Sequence, residues 1–263
     1  MHLIDTHTHI YGEDFDADIR ETLARAAAAG VKTLLFPAID PESNDRQQRL
    51  WELIEQEEGS PVRCHQMMGL HPTSVKENYK EWLEETRRLL FANPDGYVGV
   101  GEIGLDYYWD RTFEREQTEV LKEQIGWAKQ LDKALCLHVR KAYEEILHLL
   151  KEMNHASYRG VMHCFGGGTN QALRAIEMGF YIGIGGVVTF KNAGMAQVVK
   201  EIPLERIVLE TDAPYLAPVP YRGKRNESAY ILDIAKKVAE IKELPLEAVA
   251  EQTTHNAREL FAL

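Results

Sequence analysis

Histidines and carboxylates that could hold metal ions recur along the chain at the ends of short apolar runs. The segment "LIDTHTHI", residues 3–10, places His7 and His9 two positions apart, directly after such a run. Side chains alternate between the two faces of a strand, so these imidazoles are expected to point the same way, as two ligands of one ion require. A His-x-His pair alone is a weak signal, since a histidine at a strand end is more often a hydrogen-bonded structural residue.

Four further ionisable residues occupy similar positions in later apolar runs. They are Glu102 in "YVGVGEIG" (97–104), His138 in "ALCLHV" (134–139), His163 in "GVMHCF" (160–165) and Asp212 after "RIVLET" (206–211). With His7 and His9 they make a set of four imidazoles and two carboxylates, which suits zinc, manganese or a related divalent ion. Because a carboxylate can bridge two ions, Glu102 is the natural bridge of a two-metal site.

The elements that would position these residues alternate between strand-like and helix-like patterns. Eight strand-like runs are found at 2–7, 32–39, 63–70, 97–104, 134–139, 160–165, 180–186 and 206–211, with amphipathic stretches between them. A strand followed by a helix, repeated eight times, predicts an α/β fold of the (β/α)8 TIM-barrel type, as a single domain over residues 1–263. In such a barrel, catalytic groups lie at the C-terminal ends of the strands. An open doubly wound sheet is the alternative, but no glycine-rich phosphate loop follows the first strand.

Composition and net charge indicate which binding partners and which cellular compartment to expect. Hydrophobic residues make up 44% of the 263 residues and charged residues 27%, as in ordinary globular proteins. The net charge of −11 argues against non-specific electrostatic binding of nucleic acid, but it does not exclude a local basic patch. We expect no membrane span, no signal peptide and no obligate protein partner. Three cysteines give no disulfide framework, which favours a cytoplasmic protein.

Several segments resemble the TatD family of metal-dependent hydrolases, which belongs to the amidohydrolase-like barrels. The matching segments are "LIDTHTHI" (3–10), "VGVGEIGLDYYWD" (98–110), "ALCLHVRKAYEEI" (134–146), "MHCFGGG" (162–168), "IGIGGVVTFKNA" (182–193) and "IVLETDAPYLAPVPYRGKRNES" (207–228). Tyr11 stands where the family has Asp or Asn, Ala134 where proline is usual, and Ser228 where the family tends to have proline. None of these departures falls on a proposed ligand.

The resemblance implies a barrel with two divalent metal ions (Zn, Mn or Mg) and a deoxyribonuclease activity. Family members often act as exonucleases, so the implied reaction is a 3′–5′ exonuclease-type cleavage at single-stranded DNA ends. The metal ligands carried over are His7, His9, Glu102, His138, His163 and Asp212. Glu102 and Asp212 are also the predicted catalytic residues. Glu102 would bridge the two ions, and Asp212 would orient a water and accept its proton.

Further residues are predicted to contact substrate. Arg222, Lys224 and Arg225 lie in "YRGKRNE" (221–227), the loop after the eighth strand, where positive charge would suit phosphate. The alternative is a solvated loop whose charges pair with nearby acids. Two more candidates are Arg140, two residues beyond His138, and His71 in "GLHP", at the end of the third strand.

Other residues near these segments have two interpretations each. The aromatic run "YYW" (107–109) could stack unpaired bases or serve as a packed lid, and Asp106 is expected to shape that loop or to accept a hydrogen bond from a ligand. Asp5 is either a hydrogen-bond acceptor for a ligand histidine or a buried polar residue. Cys136 and Cys164 are expected to be small core residues.

Three functions compete at this point. The leading hypothesis is a metal-dependent phosphodiesterase acting on DNA ends. The second is an amidohydrolase-like enzyme that cleaves a C–N or ester bond of a small substrate, since the same ions would activate water against a carbonyl. The third is a metal-binding scaffold without turnover. The basic loop at 222–225 favours phosphate over a neutral amide, and a steep salt dependence of binding would separate the two.

Overall fold

Eight parallel strands pair in chain order, β1 to β8, in the part of the chain that the structure describes. The structure is a computed structural model that describes residues 1–57, 59–153, 155 and 158–263. The strands are β1 Leu3–Asp5, β2 Val31–Pro37, β3 Arg63–Met68, β4 Tyr97–Asp106, β5 Ala134–Arg140, β6 Gly160–Met162, β7 Phe180–Ile184 and β8 Ile207–Leu209. Each predicted strand overlaps an observed one, so the (β/α)8 barrel is confirmed and the doubly wound alternative is excluded.

Helices follow the strands and cover the outside of the barrel. They are α1 Ile19–Ala28, α2 Pro41–Gln56, α3 Tyr79–Ala92, α4 Glu114–Leu131, α5 Tyr143–Met153, α6 Thr169–Glu177, α7 Met195–Glu201, α8 Ile231–Lys242 and α9 Leu246–Phe261. Local signals explain where they begin. At the start of α2, for example, the Asp40 carboxylate accepts the backbone N–H of Ser43 at 2.7 Å, and Pro41 takes the first helical position. Among the described helices, none has both the length and the apolarity that crossing a membrane requires.

Helix α9 seals one end of the barrel. Its Asn256 amide donates to the carbonyls of Leu204 and Ile207, at the start of β8, and its Thr254 hydroxyl donates to the carbonyl of His2, just before β1. The interior cluster that α9 joins is apolar and comprises Ile4, Leu35, Met67, Ala134, Cys136, Val161, Tyr181, Val208, Ala257, Leu260 and Phe261. The polar side chains that could hold metal ions lie at the opposite end of the barrel interior, at the C-terminal ends of the strands.

The seam between β8 and β1 is closed just beyond the strand ends. The backbone N–H of Thr6 donates to Leu209 at 3.1 Å, and that of Asp212 donates to His7 at 2.9 Å. The Asp5 carboxylate accepts from the Thr211 backbone N–H at 2.9 Å and from its hydroxyl at 2.6 Å. Burial raises the pKa of Asp5 to about 7, although these hydrogen bonds oppose the rise. Asp5 is thus a buried polar residue of the seam; its contact with His7 is to the backbone N–H, at 3.4 Å, and not to the imidazole.

A network of four charges ties the loop after β8 to α1. The Arg225 guanidinium contacts the Asp18 carboxylate at 2.7 Å, and Arg25 contacts both Asp18 at 3.0 Å and Glu227 at 2.7 Å. The hydrogen bond from Arg225, supported by that from Arg25, holds the pKa of Asp18 well below its ordinary value, although burial opposes the shift. Since Arg225 and Glu227 follow Asp212 on the same loop, the network helps to hold that loop against the barrel.

We expect Asp18→Asn to destabilise the protein by about 1 kcal/mol at neutral pH, the scale of a partly exposed ion-pair network. The pKa of Asp18 is lowered on folding, so its stabilisation is complete above the unfolded value of about 3.9 and declines below it, until it is lost as the pH falls through the lower folded pKa. The free energies of urea unfolding of wild type and variant should therefore differ by a constant amount near neutral pH and move progressively closer as the pH falls below about 4. Asp45→Asn, an exposed change on α2, is the control; a difference that persists at low pH would contradict this account.

Candidate metal centre

Close packing of β4 against β5 places Glu102 at the centre of the barrel mouth. A side chain at Gly101 would put its Cβ 2.4 Å from the Cβ of Cys136. At Gly104, φ is +151° and a Cβ would lie 1.8 Å from the carbonyl oxygen of His138. Glycine is required at both positions, because the backbones could not otherwise approach so closely. This approach brings Glu102, which is only 3% exposed, into contact with His138.

The two oxygens of Glu102 face different groups of histidines. Oε1 lies 2.9 Å from His138 Nδ1, 3.0 Å from His163 Nε2 and 3.2 Å from His71 Nε2. Oε2 lies 3.2 Å from His7 Nε2 and 3.6 Å from His9 Nε2. A carboxylate between two sets of imidazoles is the arrangement expected of a bridging ligand.

Asp212 completes the group around His7 and His9. Its Oδ1 lies 3.8 Å from His7 Nε2 and 3.6 Å from His9 Nε2, and those two nitrogens are 3.1 Å apart. Asp212 has a left-handed backbone, with φ of +57°, a conformation that Asp adopts more readily than most residues. His7 and His9 lie just beyond β1 and not within it, so the strand extends less far than predicted, although both imidazoles still point into the mouth.

Each of the four predicted ligand histidines turns its outer ring nitrogen toward an acceptor. The pairs are His7 Nδ1 with Cys136 Sγ at 3.3 Å, His9 Nδ1 with the Tyr11 hydroxyl at 2.7 Å, His138 Nε2 with Asp106 Oδ2 at 2.9 Å, and His163 Nδ1 with Glu210 Oε1 at 3.4 Å. The Tyr11 hydroxyl donates to the carbonyl of Pro37, so it accepts from His9. The Tyr11 hydroxyl and the Asp106 carboxylate place the proton of His9 and of His138 on the outer nitrogen and leave a lone pair on the inner one, as metal ligation requires.

His71 has the opposite tautomer. Its outer nitrogen, Nδ1, accepts the backbone N–H of Thr73 at 3.1 Å and lies 2.7 Å from the Thr73 hydroxyl. A backbone N–H can only donate, so the proton of a neutral His71 must be on Nε2. His71 therefore presents an N–H group, and not a lone pair, to the mouth. This N–H donates to Glu102.

The inner atoms of this cluster are mutually repulsive unless positive charge lies among them. When the four imidazoles are neutral, as ligation requires, four lone-pair nitrogens and the carboxylates of Glu102 and Asp212 converge within a few ångströms, and they are all acceptors. His7, His9 and Asp212 form one group of potential ligands in which the donor atoms lie within 4.8 Å of one another. Glu102 and His138 belong to a second such group, together with His71. Divalent cations fit this donor set, because a cation coordinated by these nitrogens and oxygens offsets the repulsion among them.

The electrostatic environment also favours positive charge. Burial raises the pKa of Glu102, but His71, His163 and His7 outweigh this effect and hold it well below its ordinary value. Burial opposes protonation of His163, yet Glu102 and Glu210 raise its pKa well above 6.5. Both carboxylates of the centre are thus ionised, since the pKa of Asp212 is also lowered by His9 and its neighbours despite burial.

The predicted basic contacts have different surroundings. Arg225 is engaged by Asp18, and Arg222 donates to the carbonyl of Ala217 at 3.0 Å while its guanidinium lies 4.0 Å from the centre of the Phe190 ring. Lys224 is exposed on the same loop. Arg140 is exposed beyond His138, and no carboxylate of the described residues lies within ion-pair distance of it. A phosphate-binding role for these four residues stays a prediction, and Arg225 already has the acidic partner of the alternative interpretation.

Three residues that contact ligand histidines were not predicted in that role. Cys136, expected only as a small core residue, lies 3.3 Å from His7 Nδ1. Tyr11, noted only as a departure from the family pattern, supplies the acceptor for His9. Glu210 directly follows β8, is fully buried, and also accepts the backbone N–H of Cys164. Room for it depends on Gly183, where a Cβ would lie 2.5 Å from Glu210 Oε2. The available signal was an acidic residue adjoining an apolar strand in "IVLETD".

A (β/α)8 barrel with histidines and carboxylates gathered at its C-terminal mouth defines a metal-dependent hydrolase. The sequence model of the TatD-related DNase family matches residues 4–262, and the chain belongs to this family. It is 37% identical to the uncharacterised metal-dependent hydrolase YabD of Bacillus subtilis, over 99% of each chain. It is 35% identical to YcfH of Escherichia coli K12, another uncharacterised metal-dependent hydrolase, over 99% of this chain and 96% of YcfH.

Solved structures agree with the assignment. The crystal structure of YjjV, a TatD homologue from E. coli K12, superposes with a TM-score of 0.89 at 31% identity, over 99% of this chain and 98% of that one. A TatD-family hydrolase from Entamoeba histolytica has the same TM-score at 23% identity, which shows the shared fold. The predicted family and fold are therefore confirmed.

We expect Glu210→Gln to weaken metal binding by roughly 10- to 100-fold, as changes behind a ligand histidine commonly do. The glutamine can still accept from Cys164, but it removes the negative charge behind His163. Titration of metal-stripped protein by calorimetry, in competition with a chelator, would measure the affinity. Glu247→Gln, an exposed change on α9, is the control. Unchanged affinity in a folded Glu210→Gln variant would show that Glu210 serves packing alone.

Proposed function

We propose that this protein is a phosphodiesterase that uses two divalent ions to cleave DNA, with single-stranded ends as its substrate. The observation that carries the proposal is the position of Glu102, whose two oxygens face two separate sets of imidazole nitrogens. One ion would be held by His7, His9, Asp212 and Glu102, and the other by His138, His163 and Glu102. Imidazole-rich sites favour zinc or manganese over magnesium.

The residues of the mouth have distinct tasks in hydrolysis. Bound divalent ions would supply Lewis acidity, which lowers the pKa of water and offsets charge on the phosphoryl group. The Asp212 carboxylate orients the attacking water and accepts its proton as the oxygen bonds to phosphorus and the ester P–O bond breaks. The Nε2–H of His71 points into the same space, where it can donate to a phosphoryl oxygen that gains negative charge.

Arg140 supports phosphate as the substrate group. It leaves β5 two residues beyond His138, and within residues 1–57, 59–153, 155 and 158–263 no carboxylate neutralises it. A guanidinium at the mouth with its N–H groups unused by acids is suited to bind a phosphate through paired hydrogen bonds.

One observation favours the carbonyl-cleaving alternative. Arg225 is paired with Asp18, so the loop at 222–225 offers less free positive charge than its sequence suggests. A small neutral substrate would need no such charge. The salt dependence of binding separates the two functions, because only phosphate contacts make affinity fall steeply between about 50 and 200 mM salt.

We expect metal-dependent shortening of an end-labelled single-stranded DNA oligonucleotide. Metal-stripped protein should be inactive and should regain activity with Mn²⁺, Zn²⁺ or Mg²⁺, whereas Glu102→Gln should lower kcat by roughly 10²-fold or more. Gel analysis of the products gives the polarity of digestion, and Glu247→Gln is the matched control. Wild-type protein that binds metal but leaves every oligonucleotide intact would overturn the proposal and favour a carbonyl substrate.

A further inference from the structure

Two aromatic side chains stand exposed beside the metal centre. Tyr108 and Trp109 follow β4, and they retain 51% and 68% of their accessible surface. Their rings meet edge to face, with centroids 5.0 Å apart. Apolar surface of this size in a packed lid would be covered, so exposure argues against the lid interpretation of the "YYW" run.

The backbone beneath these rings is fixed to the metal centre. Asp106 Oδ1 accepts the N–H of Tyr108 at 2.9 Å and that of Trp109 at 3.3 Å. The other oxygen of the same carboxylate contacts His138 Nε2 at 2.9 Å. Gln117 of α4 pairs with both backbone polar groups of Asp106, at 3.0 and 3.3 Å. The rings are therefore held in a defined place relative to a ligand histidine.

Arg140 lies against both rings. Its guanidinium carbon is 4.0 Å from the ring centre of Tyr108 and 4.9 Å from that of Trp109. The backbone N–H of Tyr107 donates to the Arg140 carbonyl at 2.9 Å, which joins the aromatic run to the end of β5. Cation–π contact orients the guanidinium and leaves its N–H edge available.

We propose that Tyr108, Trp109 and Arg140 form an aromatic platform that stacks an unpaired base of the nucleotide next to the cleaved phosphodiester, while Arg140 binds a neighbouring phosphate. This inference rests on the proposed function and specifies how its substrate is held. Stacking accepts any base, because every base has a π-face. In duplex DNA the bases are already stacked on one another, so the platform selects single-stranded ends.

The charge and position of the platform favour a nucleotide over other occupants. Within the described residues, Arg140 has no acidic partner to compete with phosphate, unlike Arg225. An aromatic surface joined to an unpaired cation matches the alternation of base and phosphate along a strand. A purely apolar partner would leave the guanidinium without a counter-charge.

The test compares Trp109→Ala and Trp109→Phe with wild type on two metal-loaded substrates. One is a single-stranded oligonucleotide, and the other has the same length but carries abasic residues at its digested end. We expect Trp109→Ala to raise KM about 5- to 100-fold on the intact strand, which is the scale of one stacked base, and Trp109→Phe to retain most of the affinity. On the abasic strand the variants should match wild type. Leu244→Ala, a distant exposed change, is the control.

Fluorescence gives a readout that does not need cleavage. A phosphorothioate-linked oligonucleotide should quench the emission of Trp109, and the quench should disappear in Trp109→Phe. Quenching without cleavage by wild type would support the platform and overturn the phosphodiesterase proposal. Cleavage by wild type with an unchanged KM in Trp109→Ala would overturn the platform and leave the phosphodiesterase proposal standing. An equal rise of KM on the intact and the abasic strand would also overturn the platform, because the effect would then not depend on a base.

Discussion

The mouth of this barrel depends on the repulsion among groups that would all accept a cation. When the imidazoles are neutral, two carboxylates and four lone-pair nitrogens converge there, and the inner nitrogens of His7 and His9 are 3.1 Å apart. Such a cluster is stable when positive charge occupies it, so metal binding and the folded state of the mouth are linked. The apolar cluster sealed by α9 at the opposite end lets the barrel tolerate this concentration of polar groups.

The two halves of the centre receive their negative charge in different ways. Beside His7 and His9, the carboxylate of Asp212 lies directly among the ligands, and the outer partners, Cys136 and Tyr11, are neutral. Beside the histidines of β5 and β6, the extra carboxylates lie behind the rings, as Asp106 and Glu210. A carboxylate behind an imidazole makes it a stronger ligand without occupying a coordination position. In the proposed two-metal site, the second half would therefore leave more coordination positions for substrate.

The fold and the ligand set could be predicted because a parallel barrel gathers the ends of all its strands at one rim. An ionisable residue at the end of an apolar run therefore has a known destination, whatever its distance along the chain. The partners of such residues have no comparable signal. Arg225 pairs with Asp18, 207 residues away, and nothing in the basic loop reveals that contact. The tautomer of His71 likewise follows from one backbone N–H, of Thr73, whose direction a sequence does not show.

An acidic chain can still act on a polyanion if its few available cations lie where the substrate is held. Charges separated by more than a Debye length, about 10 Å at 0.1 M salt, interact weakly, so the net charge of −11 matters less than the local field at the mouth. Arg25 and Arg88 are paired with acids. Arg140 has no acidic partner among the described residues, and it lies against aromatic rings, which orient a guanidinium without neutralising it. In the proposed function, the loop geometry that Asp106 fixes would thus connect a ligand histidine, His138, to the recognition of a charged, planar substrate.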